Sequence, residues 1–162
     1  MVIYLLRHGD ALQTPSMNDD QRPLSEIGER QARTVGRFLV AGKVRIDCVY
    51  SSPLVRAIQT AGIVRDALNV RKSEQTEYLV PGTRKSQLFD LLNAHPVESV
   101  LLVGHEPHLS QTTSLLLTEH ENLPLEFKKC SLACLVASEK VRKGHAILQW
   151  FLTCEQMELL KH

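Results

Sequence analysis

Five consecutive apolar residues, Val2-Ile3-Tyr4-Leu5-Leu6, open the chain and run straight into Arg7-His8-Gly9. With no polar residue alternating in, the run predicts a strand buried on both faces. A cation and an imidazole at the mouth of such a strand are costly unless an anion or a hydrogen-bonding group meets them there. The polar stretch GDALQTPSMNDDQRP then predicts a loop. Ser25 can cap a helix over Glu26 to about Ala41, with an acid in its first turn and Gly42 as its stop. RIDCVYSS reads as a second strand, and Ser52-Pro53 as the N-cap and first position of a helix reaching about Leu68. EQTEYL reads as a third strand broken by Pro81-Gly82, and Lys85 to Ala94 as a helix stopping before His95-Pro96. SVLLVGH, again uniformly apolar, reads as a fourth strand, after which Pro107 opens a helix to about Leu117.

Such strict alternation of strand and helix implies a mainly parallel sheet with helices on both faces. The last third changes character. FKKCSLACLVASEK and HAILQWFLTC read as two strands joined at Lys143-Gly144, an antiparallel hairpin at one edge. The expected architecture is a three-layer α/β/α fold with a mainly parallel sheet and a C-terminal antiparallel edge hairpin. No repeat, low-complexity segment or linker divides residues 1–162, so a single domain is expected.

In a parallel α/β sheet, ligands bind outside the carboxyl ends of the strands. The first strand delivers Arg7 and His8 to that edge, the second Ser51-Ser52 with Arg56 one turn into the next helix, and the fourth His105-Glu106. Singly, each has an ordinary structural explanation: Arg7 paired with a loop acid (Asp10, Asp19 or Asp20), Arg56 on a solvated helix face, His105 as a cap. Together they describe a site for a dianionic tetrahedral group. Arginine forks match phosphate oxygens in bidentate geometry, and helix N-termini at Pro53 and Pro107 add backbone donors. A Walker loop and an acidic cluster for magnesium are both absent, which leaves a neutral imidazole as the natural nucleophile toward phosphorus.

Composition narrows the partners. Nineteen Lys plus Arg against eighteen Asp plus Glu give a net charge of +1 in 162 residues, no basis for nucleic-acid binding. No apolar run approaches a membrane span, and the first strand lacks the features of a signal peptide, so a cytoplasmic protein is expected. Cys48, Cys130, Cys134 and Cys154 lack metal spacing and are expected as free buried thiols. No metal and no cofactor are expected.

LLRHGDA, RPLSEIGERQA, SSPLVRAIQTA and VLLVGHEPHLS resemble the four signature blocks of the histidine phosphatase (phosphoglycerate mutase-like) superfamily, the first carrying its Arg-His-Gly (RHG) motif. The short length and the RPLS and GHEP blocks resemble its small branch, the SixA-type phosphohistidine phosphatases. The resemblance implies that His8 becomes phosphorylated and that Arg7, Arg56 and His105 bind the phosphoryl group. Arg22 falls near the pocket mouth, and Gly9 and Ser52 adjoin it as further substrate-binding candidates. The general acid stays open among Glu106, Glu77, Asp10 or none. His108, one turn beyond His105, is expected at the rim or in solvent.

The implied substrate is a phosphorylated protein, such as a histidine phosphotransfer domain in two-component signalling. The short stretch between Leu68 and Lys85 leaves no room for a closing lid, which suits a protein-borne phosphoryl group. A small phosphate ester is the alternative within the same chemistry. A phosphoprotein-binding module without catalysis is the alternative from another class.

Overall fold

The computed structural model describes residues 1–13, 15–138 and 140–160. Thr14 of the expected loop and Glu139 of the expected fifth strand lie outside them. Six strands form one sheet: β1 (Val2–Arg7), β2 (Cys48–Ser51), β3 (Lys72–Gln75), β4 (Ser99–Gly104), β5 (Leu132–Ala137) and β6 (Ala146–Leu152). Their order is β3-β2-β4-β1-β5-β6. The first four are mutually parallel, while β5 runs antiparallel to β1 and β6 antiparallel to β5. This is the expected α/β architecture with its edge hairpin, turning at Gly144 with a φ of 68°.

Helices α1 (Glu26–Ala41), α2 (Val55–Leu68), α3 (Lys85–Ala94), α4 (His108–Thr118) and α5 (Cys154–Leu159) cover both faces. Alternation along each strand feeds two separate cores. Ile3 and Leu5 of β1 join Val100 and Leu102 of β4 beneath Leu88, Leu92, Leu109 and Leu116 of α3 and α4. Tyr4 and Leu6 point the other way, with Leu101 and Val103, under Val35 and Leu39 of α1 and Ala57, Ala61 and Val64 of α2. Central strands supplying both cores must be apolar at every position, which is why β1 and β4 show no alternation of polarity.

Three elements differ from expectation. The third strand is the exposed, polar Lys72–Gln75, and Glu77–Leu79 is a 3-10 turn; pairing with β2 forms this edge strand, not burial. The helix after β2 starts at Val55 with Leu54 as N-cap, two residues later than expected. The chain beyond β6 turns into α5 through a capping box in which Thr153 and Gln156 each satisfy the other's backbone amide, so Cys154 is helical.

Ser25 caps α1 as expected, its hydroxyl accepting from the Gly28 amide. The start of that helix presses directly on the turn after β1. A Cβ at Gly9 would stand 2.7 Å from the Gly28 carbonyl oxygen, and one at Gly28 would overlap the Asp10 carbonyl. Backbone touches backbone there, and only glycine permits it. Among the described residues no helix is long and apolar enough to cross a membrane.

Candidate active site

Neighbouring strands β2, β4 and β1 end side by side, and the residues following them meet above those ends. His8 is 4% exposed and His105 2%, their ring centroids 4.9 Å apart. His8 Nδ1 lies 2.7 Å from the Gly9 carbonyl oxygen, an acceptor only, so Nδ1 carries the proton and donates. Nε2 therefore holds a free electron pair, which accepts from Arg56 Nε at 3.3 Å. Burial, with the charges of Lys129 and His105 adding to it, pushes the His8 pKa down to about 2. The ring is neutral at physiological pH. Gly9 fixes this tautomer through its carbonyl, and its own amide donates to Thr60 Oγ1.

His105 Nε2 lies 2.8 Å from Ser52 Oγ, which also accepts from the Leu54 amide. Donation of the hydroxyl proton to Nε2 satisfies both groups and leaves the proton of His105 on Nδ1, buried and without a partner. Burial and the Arg56 charge push this imidazole down to about 3. Ser52 thus positions His105 while also holding the Leu54 amide just ahead of α2.

Arg7 pairs with none of the loop acids. Its Nη1 donates to the Phe127 carbonyl at 2.6 Å, while its buried Nε has no partner. Arg56, with a side chain 6% exposed, is no solvated helix residue. Its Nη1 donates to the Asp19 carbonyl and its Nη2 to Asp19 Oδ2 at 2.9 Å. Arg22 grips the other oxygen of the same carboxylate at 2.6 and 2.9 Å. Burial works against ionisation of Asp19, but Arg22 and Arg56 outweigh it and hold the carboxyl below its ordinary value. A carboxylate thus occupies two of the guanidiniums, as an anionic ligand would.

The candidate acids separate clearly. Glu106 is half-buried, with Oε2 accepting from Ser110 at 2.6 Å and Oε1 unpartnered. Burial raises its pKa against the opposing effects of Ser110 and Arg7. Glu77 is exposed on the 3-10 turn. Asp10 accepts the Ser25 hydroxyl at the start of α1 and serves the loop base. His108 departs from expectation: it is fully buried in α4, with its ring against the Tyr78 backbone.

Two residues near the site carried no local signal. Asp19 was only one of several loop acids, and Lys129 sits in a stretch whose pattern suggested strand. Its ammonium acts electrostatically on both imidazoles. Among the described residues, no three His, Cys, Asp or Glu side chains gather as a metal site requires.

An imidazole with a free electron pair, flanked by guanidiniums at the ends of parallel strands, defines a phosphoryl-handling α/β protein. The chain belongs to the histidine phosphatase superfamily (branch 1), whose sequence profile matches residues 3–79 and so spans Arg7, His8 and Arg56. It is 30% identical over 166 aligned residues to the phosphohistidine phosphatase SixA of Escherichia coli K12, covering 99% of both chains. A solved structure of the protein histidine phosphatase SixA complexed with tungstate superposes with a TM-score of 0.85 at 28% identity, over 95% of this chain and 97% of that one. Phosphoserine phosphatase of Entamoeba histolytica shares the fold, with a TM-score of 0.69 at 18% identity over 96% of this chain and 98% of that one.

Proposed function

We propose that residues 1–162 act as one domain, a metal-independent phosphatase of the cytoplasm that removes phosphate from phosphohistidine on a protein. The observation that carries this reading is the His8 tautomer: Nε2 holds a free electron pair within reach of Arg56, inside a ring kept neutral by burial. Cys48, Cys130 and Cys134 are buried free thiols, in keeping with a reducing compartment.

Substrate binding exchanges partners. The phosphoryl oxygens take the Arg56 donors, displacing the Asp19 carboxylate and freeing Nε2. They also meet Arg7 Nε and the His105 Nδ1 proton, both buried without protein partners. Arg22 closes the mouth, while Gly9 and Ser52 hold the two imidazoles in register. The Nε2 pair then forms the N–P bond as the bond from phosphorus to the leaving imidazole breaks, its electron pair departing with the leaving nitrogen. Water attacks the phospho-His8 intermediate, giving inorganic phosphate and restoring Nε2. The guanidiniums and the His105 proton stabilise the three equatorial oxygens where charge is spread.

A phosphohistidine leaving group takes its proton from solvent through its second ring nitrogen. An ester needs a positioned acid, and Glu106, half-buried with a raised pKa beside Arg7, is placed to be one. That observation favours a second reading, a small phosphomonoester as substrate.

Denaturing the enzyme during turnover should trap an acid-labile, alkali-stable phosphoenzyme, absent from His8→Ala. Normal turnover by folded His8→Ala would defeat the mechanism. Substrate choice is tested by comparing kcat/KM for a phosphohistidine protein against a panel of metabolite phosphates. A clear preference for a metabolite would favour the ester reading.

A further inference from the structure

Lys129 lies on the connection between α4 and β5, which the end of β1 straps down at three points. Arg7 Nη1 donates to the Phe127 carbonyl at 2.6 Å, the Arg7 amide to the Ser131 carbonyl at 3.1 Å, and the Cys130 amide to the His8 carbonyl at 3.4 Å. Between these anchors the chain makes a tight turn, Ser131 N–H donating to the Lys128 carbonyl at 2.8 Å. Cys130, its third residue, has a φ of 53°. A buried residue other than glycine in that region is strained and persists only where its surroundings over-determine it. Here the bond to the His8 carbonyl does so, and the side chain presented beside the site is Lys129.

Its charged surroundings are lopsided. Arg7 and His8 of the β1 end, Arg56 of α2, Arg22 of the loop and His105 after β4 all act on it or feel it, and Asp10 is the acid that opposes them. Asp19 is committed to Arg22 and Arg56. Among the described residues, Lys129 makes neither an ion pair nor a hydrogen bond.

We propose that Lys129 is a phosphoryl-binding residue of this site, its ammonium meeting a phosphoryl oxygen and completing the charge needed for a dianion. This rests on the phosphatase reading and adds a residue to it. Burial and Arg7 push the ammonium down to about 8. A bound dianion reverses that, so phosphate affinity and the charge of Lys129 are coupled. His8 and His105 are already neutral at that pH, and burial raises the Cys130 thiol well above its ordinary value.

The test is calorimetric binding of inorganic phosphate from about pH 7.5 to about pH 9.5, with each affinity expressed per dianion so that ionisation of the ligand itself is removed. The wild type should lose affinity as pH rises past about 8. Lys129→Met should bind about 10- to 100-fold more weakly at the lower pH, as loss of a charge-assisted bond implies, and be flat across the range. Lys129→Arg, always charged, should bind nearly as well as wild type and also be flat. A Lys129→Met variant with wild-type affinity and the wild-type pH profile overturns the assignment while leaving the phosphatase reading standing. Wild-type protein that neither binds phosphate nor turns over any phosphate compound overturns both.

Discussion

His105 and His108 stand three residues apart, both buried and both with pKa values pushed down. The region around His105 gathers groups from three strand ends: His8 at 4.9 Å, Ser52 at 2.8 Å and the Arg56 charge. The region around His108 is the interior beneath α4, where the groups acting on the ring are the Lys85 ammonium, the Tyr78 backbone and the Glu121 carboxylate. Burial drives His108 down to about 4, with the Lys85 ammonium adding to it. A depressed histidine pKa therefore reports burial in both places. What distinguishes the site is convergence of unlike elements on one volume and donors left open within it.

Substitutions can break this comparison. The largest effects in this series belong to the convergent region. Arg56→Ala and His105→Ala should each lower kcat about 10² to 10³-fold with the fold intact by circular dichroism, the usual cost of one pre-positioned donor. Arg56→Lys should recover only part, since an ammonium lacks the planar fork. Near wild-type kcat in Arg56→Ala would mean that its contacts to His8 and Asp19 serve the fold alone.

Glu106→Gln sharpens the comparison by substrate. On an alkyl phosphate it should cost about 10²-fold or more, the lower range for a general acid. On phosphohistidine it should cost little. Equal losses on both would assign Glu106 to packing.

His108→Leu belongs to the other region and should leave kcat within about twofold. Its effect is on stability. In the unfolded chain the imidazole titrates near its ordinary 6.5, whereas in the fold it stays neutral down to about 4. As pH falls below 6.5 the unfolded state binds the extra proton first, so the contribution of neutral His108 is complete above that pH and is lost below it. Denaturant titrations between these two pH values should show a slope shallower in His108→Leu by up to about 1.4 kcal/mol per pH unit. An unchanged slope would show that His108 is already protonated in the fold. The smallest effect expected is that of a chelator, which should leave activity unaltered. Loss restored by added metal would contradict the reading.

The sequence exposed the parts of the fold that have a local cause. β1 and β4 are apolar throughout because they feed two cores, and α1 carries its cap and its stop on its own residues. β3 had no such signal: Lys72-Ser73-Glu74-Gln75 is a strand only because β2 offers it an edge. α5 did have one, the Thr153–Gln156 box, hidden by the apolar run of β6 that leads into it. For the site, Arg7, His8, Arg56 and His105 were legible because each ends or follows a strand pointing to one edge. Ser52 was legible only in part: its hydroxyl does accept from the Leu54 amide at the helix start, but the His105 ring that it also meets is 53 residues away. Asp19 and Lys129 depend wholly on how distant segments fold over the strand ends.

The loop that brings Asp19 to Arg56 is closed at its base. Asp10 and Ser25 are joined twice, by backbone amide to carbonyl and by hydroxyl to carboxylate, and Ala11 bridges Leu24. Because the Gly9–Gly28 contact locks His8 below that base, the tip can change length without moving the nucleophile. Doubling such a loop costs only about 0.6 kcal/mol of closure entropy. The segment between Leu12 and Arg22 is therefore the place where this scaffold can accept grafted chain, and a designer wishing to alter what reaches His8 would insert there.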